Sequence, residues 1–536
     1  MLLAAKNSVP GMPATVIEYK LKSSGLAAIQ KAASTSLQLQ EESSQQYTIT
    51  YLDTFDWRIH AKNAVLQRIK DDHHEHLSWR KLDSPINRCK TSKGTHSVFA
   101  TDLPEGRLKQ WLAPIIGVRA LLPLGTAFVS RRTFVKRNAD EKIILRIHFD
   151  QYRVVNPNTN KQQLLDKRVR LAPLRGYDIP LESVKAYFDH EPALLQTKTD
   201  VALEVLQFYG YQPGGYDAKS VVSLQAQWPA RQALSLILQD LFKIMQLNEE
   251  GVSQQIDSEF LHDYRVALRK TRSLCKQMHS LYNSETIESL EESLKWLGAV
   301  SGPARDMDVH MLQLDAYQQL LPEYLFHSLG PFRELLGRKH AQYHQQLLEV
   351  LNSERYIQFR QDYQTFLQQF PCESVDTPEA NIRVKEYADR HIWKAYKKTI
   401  KQGNKIDENS ADDLLHKLRR TCKRLRYLLE AFQTLYERKA LKRLIKALKK
   451  LQDVLGKYND LRVQITTLHD SKAELGALAQ LSEETTQAIS DLVLHLEFES
   501  KETRKDFSAS YSAFSGKEIK TLFRKLFKPI TLAHLA

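Results

Sequence analysis

Four side chains able to carry positive charge, His262, Arg265, Arg269 and Arg272, recur at intervals of three and four residues. On a helix turning about 100° per residue they fall within an arc of about 80°. Leu261, Tyr264, Leu268 and Cys275 occupy the adjoining arc. Such a helix buries one face and lays a row of cations along the border of that face. The arrangement returns later in the chain, with His416, Arg419, Lys423 and Arg426 beside Leu415, Leu418, Cys422 and Leu429. Solvated helix faces ordinarily mix signs, because acid–base pairs four residues apart stabilise and like charges repel. These two rows carry almost no acid. Their mutual repulsion costs stability, and a bound polyanion would offset it through charge-assisted bonds to phosphate oxygens.

The elements that position these rows divide the chain in two. Residues 15 to about 210 read as short alternating strands: Val16 to Leu21, Tyr47 to Tyr51, Val65 to Lys70, His76 to Arg80 and Lys142 to Phe149. Helical stretches at Leu21 to Gln40 and Thr199 to Gly210 interrupt them. The run Gln212-Pro213-Gly214-Gly215 marks a linker, and long helical patterns follow to about residue 530. The expected organisation is a flexible N-terminus (1–14), an α+β domain (15–211), a linker (212–225) and an all-helical domain (226–536). The stretches Cys372 to Ala380 and Gly403 to Asp412 read as loops.

The helical half repeats itself. A shift of 154 residues lays His262 on His416, Arg265 on Arg419, Arg272 on Arg426 and Leu281-Tyr282 on Leu435-Tyr436. The same shift lays Gly302, Asp306 and Val309 on Gly456, Asp460 and Val463, without a gap. Two copies are expected, at about 230–372 and 384–530. The turns Gly302-Pro303-Ala304-Arg305-Asp306 and Gly456-Lys457-Tyr458-Asn459-Asp460 read as helix breaks, with the aspartates capping the next helix or holding an arginine. A further helix adds Arg338, His340, His344 and Arg355 in the first copy alone.

Composition narrows the partners. The 536 residues carry 77 Lys+Arg against 63 Asp+Glu, a formal charge of +14. That surplus favours a polyanion of some kind. A mean hydropathy of -0.45, with no apolar run of about 18 residues, excludes a spanning helix. The four cysteines, with no C-x-x-C, and the short apolar start at Met1 fit a cytoplasmic protein without a signal peptide, zinc ribbon or disulfide framework. There is no P-loop, dinucleotide fingerprint or nucleophile elbow. Asp71-Asp72-His73-His74-Glu75-His76 has the composition of a metal site but falls where a hairpin turn is expected. No metal site is assigned.

The two basic motifs, His262-x-x-Arg-Val-x-x-Arg-Lys-x-Arg and His416-x-x-Arg-x-x-x-Lys-Arg-Leu-Arg, resemble the CHAD domain, as do the Gly-x-x-[Arg/Asn]-Asp segments. The resemblance spans roughly 220–530 and implies two duplicated four-helix bundles that bind inorganic polyphosphate. It implies contacts from His262, Arg265, Arg269, Lys270, Arg272, Arg305, Arg338, His340, His344, His416, Arg419, Lys423, Arg424 and Arg426. Periodicity alone does not choose polyphosphate over nucleic acid.

Residues 15–211 resemble the CYTH domain, an antiparallel β-barrel or tunnel that acts on triphosphates. Glu18-Tyr19-Lys20, Tyr51-Leu52-Asp53-Thr54, Arg68-Ile69-Lys70, Leu77-Ser78-Trp79-Arg80 and Arg131-Arg132 carry the likeness. It implies phosphate contacts from Lys20, Arg68, Lys70, Arg80, Arg131 and Arg132. Metal-dependent hydrolysis needs several carboxylates. Here Val16 replaces the first Glu of the family pattern, and the late strand matched to Val169–Gly176 has no acid, leaving Glu18.

The expected function is therefore polyphosphate binding without a required cofactor, through the helical domain, with a tunnel that has lost hydrolysis. On this reading the protein is cytoplasmic and associated with polyphosphate granules. One alternative is a triphosphatase using Mg2+ or Mn2+ with Glu18 and Lys20 in the tunnel. Another is a nucleic-acid-binding protein, ranked lower because few aromatics interleave with the cations.

Overall fold

The computed structural model describes residues 16–21, 25–83, 87–157, 159–174, 178–219, 221–372, 377, 379, 381–407 and 409–528. The expected flexible residues 1–14 and the end of the late strand at Arg175-Gly176 lie outside these. The chain forms two compact units, Met1–Asp217 and Ala218–Ala536.

The first unit runs β1 (Ile17–Leu21), α1 (Leu26–Ser36), β2 (Gln40–Asp53), β3 (Ala64–Lys70), β4 (Glu75–Lys81), β5 (Asn87–Thr91) and α2 (Arg107–Ile116). It continues with β6 (Leu122–Arg137), β7 (Ile143–Val155), β8 (Gln162–Leu164), β9 (Lys167–Pro173), α3 (Asp178–Asp189), β10 (Leu194–Gln196) and α4 (Val201–Phe208). The strands make one antiparallel sheet in the order β10-β1-β9-β7-β6-β2-β3-β4-β5, with β8 on β7. The two ends do not pair, so the expected barrel is an open sheet among the described residues.

Alternation splits this sheet into an apolar and a polar face. Tyr19, Leu21, Phe134, Ile147, Phe149 and Leu171 pack with Leu26 and Ile29 of α1 and Val184 and Phe188 of α3. Further along, Leu66, Leu77 and Trp79 pack on Leu108, Leu112 and Ile116 of α2. The opposite face carries the charges described below. There α4 approaches β6 at Gly125, where an added Cβ would stand 2.7 Å from the Tyr209 ring. The missing side chain makes room for that ring, whose hydroxyl donates to the carbonyls of Thr126 and Val155.

The second unit contains ten α-helices among the described residues: α5 (Ala230–Ser253), α6 (Ser258–Cys275), α7 (Ser284–Gln319), α8 (Gly330–Leu351) and α9 (Glu354–Gln369) precede α10 (Val384–Gly403), α11 (Asp412–Ala431), α12 (Arg438–Ala477), α13 (Glu483–Ser515) and α14 (Lys517–Phe527). The starts of α10, α11 and α12 follow those of α5, α6 and α7 by 154 residues, and α13 follows α8 by 153. The repeat therefore extends beyond the motifs that reveal it in sequence. It lapses at α9, because α13 runs straight through the equivalent of the break after Leu351.

The copies meet at equivalent residues. Pro229 bridges Arg383, its counterpart, with Ala230 N donating to Ile382 O and Val384 N donating to Trp228 O. One apolar cluster joins Met307, Leu314, Leu321 and Leu335 to their counterparts Leu461, Leu468, Leu475 and Ile489. Contacts between equivalent residues are what a local two-fold axis produces. Both copies thus share one core rather than forming independent bundles.

Candidate functional site

Helix α6 begins where Asp257 accepts from the Glu259 and Phe260 amides, and it buries Leu261, Tyr264, Leu268 and Cys275. Helix α11 buries Leu415, Leu418, Cys422 and Leu429 at the matching positions. Both apolar faces turn inward, which fixes where the cations stand. With α10, these helices enclose a cleft of about 660 Å3.

Nine Lys or Arg side chains line it and no carboxylate does. Arg269, Arg272 and Lys276 come from α6 and its end; Lys394 and Lys398 from α10; Lys417, Arg420, Lys423 and Arg424 from α11. None of the nine forms an ion pair within 4 Å among the described residues. The Nε atoms of Arg269 and Arg424 are buried without a hydrogen-bond partner. Lys423 is pushed down to about 8, by burial first and then by Arg419 and Arg269. His391 is pushed down to about 4, mainly by burial, so the lining includes a neutral imidazole that contacts Gln277 Oε1 at 3.1 Å. An uncompensated, partly desolvated concentration of cations binds anions more strongly than the same charges spread over a surface.

The sequence rows divide between this cleft and other work. Arg269, Arg272, Lys423 and Arg424 line it. Arg265 lies beside it, donating to Gly298 O at 3.1 Å and to Ser301 Oγ at 2.8 Å. Burial, then Arg269, weakens its hold on the proton. Arg419 reaches Asp460 at 3.3 Å, and Arg426 is held by Glu430 at 2.6 Å and Gln452 at 3.3 Å. Lys270 is turned away onto Glu430 at 3.4 Å and serves as a strut from α6 to α11. His262 is half-buried on α6, and His416 Nδ1 meets Asn459 Oδ1 at 2.8 Å.

Four expected contacts of the first copy belong elsewhere. Arg305 donates to Ser258 O at 2.8 Å and lies between Glu259 and Asp308. Arg338 meets Gln480. His340 and His344 both point their Nε2 atoms at Asp308 Oδ1, each at 2.9 Å. Arg355, noted beside them, stacks over Trp296 at 4.0 Å. These side chains are held against other neighbours, and none of them lines the cleft.

The expected breaks at Gly302 and Gly456 are not there. α7 and α12 run through both, so Asp306 and Asp460 cap nothing. In the first copy Gly298 makes room for an arginine, since a Cβ there would stand 2.7 Å from Arg272 Nη1, whereas one on Gly302 would meet Arg265 Nη1 at an ordinary contact distance of 3.6 Å. In the second copy Gln452 occupies the position equivalent to Gly298 and accepts from Arg426 instead.

Sequence reading missed α10, Lys276, Lys417 and Arg420. The available signal was Lys394 and Lys398, four residues apart on a helix whose second half, from Lys394 to Gly403, has no acid.

On the sheet, cross-strand register sorts the expected tunnel cations. Arg80 opposes Val65 while Arg68 opposes Leu77, so the two arginines emerge on opposite faces. Arg68 and Lys70 share the α2 side with Leu66, and Arg68 contacts His96 Nδ1 at 3.1 Å. Arg132 opposes Phe149 and pairs with Glu41 at the apolar side. Only Lys20, Arg80 and Arg131 stand on the polar face, joined by Arg168 and Arg170.

That face is not short of acids, as the sequence reading had it. Glu18 binds Arg168 and Arg170; Asp150 binds Arg131 through two bonds of 2.6 Å; Asp200 binds Arg80. Lys20 lies 2.8 Å from both Asp166 and Glu204, and Glu204 also accepts from Arg168 at 2.8 Å. Burial pushes Asp150 upward, but Arg131 outweighs it and holds the carboxyl at about 2. Asp200 and Glu204 sit at the start of α4, outside any strand, where alternation could not reveal them. Asp53 accepts from the amides of Thr54, Ile59 and His60, so this acid of the quoted segment shapes a turn. Asp71 through His74 form the β3–β4 turn, where Asp71 accepts from the His73 and His74 amides.

Among known proteins, the chain is 27% identical over 179 residues to two uncharacterised proteins of Mycobacterium tuberculosis, Rv2226 of strain H37Rv and MT2285 of strain CDC 1551. The match covers 32% of this chain and 34% of each relative, so it spans about a third of their length. The CHAD domain of the plant Ricinus communis is similar in structure over 55% of this chain and 95% of its own, with a TM-score of 0.46 and 23% identity. HpAC1 of Hippeastrum, an adenylyl cyclase candidate with a dominant triphosphatase activity, is matched over 38% of this chain and 99% of its own (TM-score 0.27, 10% identity). No described helix is long and apolar enough to cross a membrane. Residues 236–469, which hold α6, α7, α10 and α11, match the CHAD domain family.

Proposed function

We propose that the helical unit binds inorganic polyphosphate in the cleft between α6, α10 and α11. The observation that carries this reading is a lining of nine cations without a carboxylate. A linear condensed phosphate offers one negative charge per repeat and oxygens on every side, which suits three helices presenting Lys and Arg from different directions. Such binding needs no cofactor. Only Tyr427 and the neutral His391 offer ring faces in the cleft, fewer than a single-strand nucleic-acid binder uses for stacking.

The first unit is read as a non-catalytic accessory. On its polar face the cations Lys20, Arg80, Arg131, Arg168 and Arg170 are matched by Glu18, Asp150, Asp166, Asp200 and Glu204. Carboxylates bonded to arginine are poor metal ligands, and arginines bonded to carboxylate are poor phosphate ligands. This observation disfavours the triphosphatase alternative. The reading also implies that the protein works in the cytoplasm and gathers where polyphosphate accumulates in granules.

Titrating the full chain with long-chain polyphosphate at increasing salt, with single-stranded RNA of equal charge as competitor, tests the assignment. Affinity is expected to fall linearly on a log–log salt plot, because counterions are released. RNA is expected to compete poorly. RNA binding as tight as polyphosphate binding would transfer the cleft to the nucleic-acid reading.

A further inference from the structure

The geometry points to a divalent transition-metal site between α7 and α8, built from Asp308, His340 and His344. The polyanion reading does not use these residues, and the inference stands without it. His340 and His344 are four residues apart and so lie on one face of α8. Asp308 faces them from α7. One ligand atom from each of the three lies within 4.8 Å of the others. Both Nε2 atoms are 2.9 Å from the same oxygen, Oδ1 of Asp308.

Hydrogen bonding alone satisfies this cluster poorly. Asp308 and His344 are 3% and 7% exposed. Asp308 Oδ2 and His344 Nδ1 are buried with no hydrogen-bond partner, and the nearest cation to Oδ2, Arg305, stands 3.7 Å away. Two imidazoles aimed at one carboxylate oxygen need both Nε2 atoms protonated, whereas a metal ion needs only their lone pairs. Metal–ligand bonds of about 2.0–2.2 Å place tetrahedral ligands roughly 3.4 Å apart, so each imidazole need draw back from Asp308 Oδ1 by only about half an ångström. Two nitrogens and one oxygen suit Zn2+, Co2+ or Fe2+, whereas Mg2+ and Ca2+ prefer oxygen alone. His340 is 29% exposed, which leaves a solvent-facing side where water completes the coordination.

The test uses the full chain, stripped with a chelator and free of polyphosphate, which itself binds metals. Calorimetric titration with Zn2+ is expected to show one tight equivalent, with Mg2+ giving none, and Co2+ is expected to develop visible absorption. His340→Gln, the least buried change, and Asp308→Asn are each expected to weaken that equivalent at least ten-fold while circular dichroism stays unchanged. Zn2+ is also expected to raise the melting temperature of the wild type but not of His340→Gln. Absence of binding by the wild type would overturn the site. So would undiminished binding by a folded His340→Gln protein, which would move the metal to other histidines such as the exposed pair in the β3–β4 turn.

Discussion

Arg269 of α6 and Lys423 of α11 hold the same position in the two copies of the repeat and line one cleft, where Arg269 helps to depress the proton affinity of Lys423. Duplication about a local two-fold axis brings equivalent residues together, so a basic position in one copy becomes a like-charged pair. The fold tolerates that repulsion because each helix is anchored through its apolar face and through struts such as Lys270–Glu430.

The pair is expected to make the proposed polyphosphate binding sensitive to pH. Lysine ordinarily releases its proton near 10.5, and folded Lys423 does so at about 8. Between those values the unfolded chain holds a proton that the folded chain has lost, so stability of the free protein rises with pH across that window. A bound anion would restore the proton, so affinity for polyphosphate is expected to fall as pH rises from 7 to 9.5. Calorimetry in buffers of different ionisation enthalpy near pH 8.5 should report proton uptake on binding. Lys423→Arg should flatten the pH dependence; an unchanged profile would assign it to another group.

Gly298 sets stability against binding. Alanine is better than glycine in a helix interior by about 1 kcal/mol. Its Cβ would nevertheless displace the Arg272 guanidinium, whose Nη1 stands 2.7 Å from that position. Gly298→Ala is expected to raise the melting temperature while weakening polyphosphate binding by about ten-fold, the low end for one displaced charge-assisted bond. Affinity that rises together with stability would contradict the role given to Arg272.

Neighbouring cations of α6 should behave oppositely. Lys270→Met removes the bond to Glu430, which keeps Arg426, and is expected to cost about 1 kcal/mol of stability with affinity nearly unchanged. Arg269→Gln is expected to lower affinity about ten-fold with no loss of stability. Chemical denaturation and equilibrium binding of the two variants decide the matter.

These contrasts show where sequence reading runs out. The 154-residue offset and the two rows were plain, because an apolar stripe at helical spacing fixes which way His262 to Arg272 must face. Lys270 looked equivalent to Arg424, yet the side chains separate once Glu430 is in place. Gly302-Pro303 looks like a break, but α7 continues through it, and the missing side chain at Gly298 leaves room for Arg272. Arg68 and Arg80 looked like tunnel partners until pairing with Leu77 and Val65 put them on opposite faces. Asp200 and Glu204 arrive from a helix, and strand alternation carries no information about them. His340 and His344 were visible as a pair, but their partner Asp308 is supplied by another helix.

The polar face of the sheet is expected to be structural. Asp200→Asn preserves the cap on Ala202 N but leaves Arg80, only 7% exposed, without its carboxylate. The expected cost is about 3–5 kcal/mol. The full chain is expected to release no phosphate from tripolyphosphate with Mg2+ or Mn2+. Metal-dependent turnover abolished by Glu18→Ala would establish the triphosphatase instead.

The most direct measurement compares two variants that lose the same charge. One carries Arg269→Gln, Lys394→Gln, Lys398→Gln and Arg420→Gln in the cleft. The other carries Lys439→Gln, Lys442→Gln, Lys446→Gln and Lys450→Gln on the exposed side of α12. Equilibrium binding of long-chain polyphosphate at physiological salt should fall at least about a hundred-fold in the first and only a few-fold in the second, because screening confines each charge to its neighbourhood. Equal losses in both would mean that net charge, rather than the cleft between α6, α10 and α11, attracts the anion.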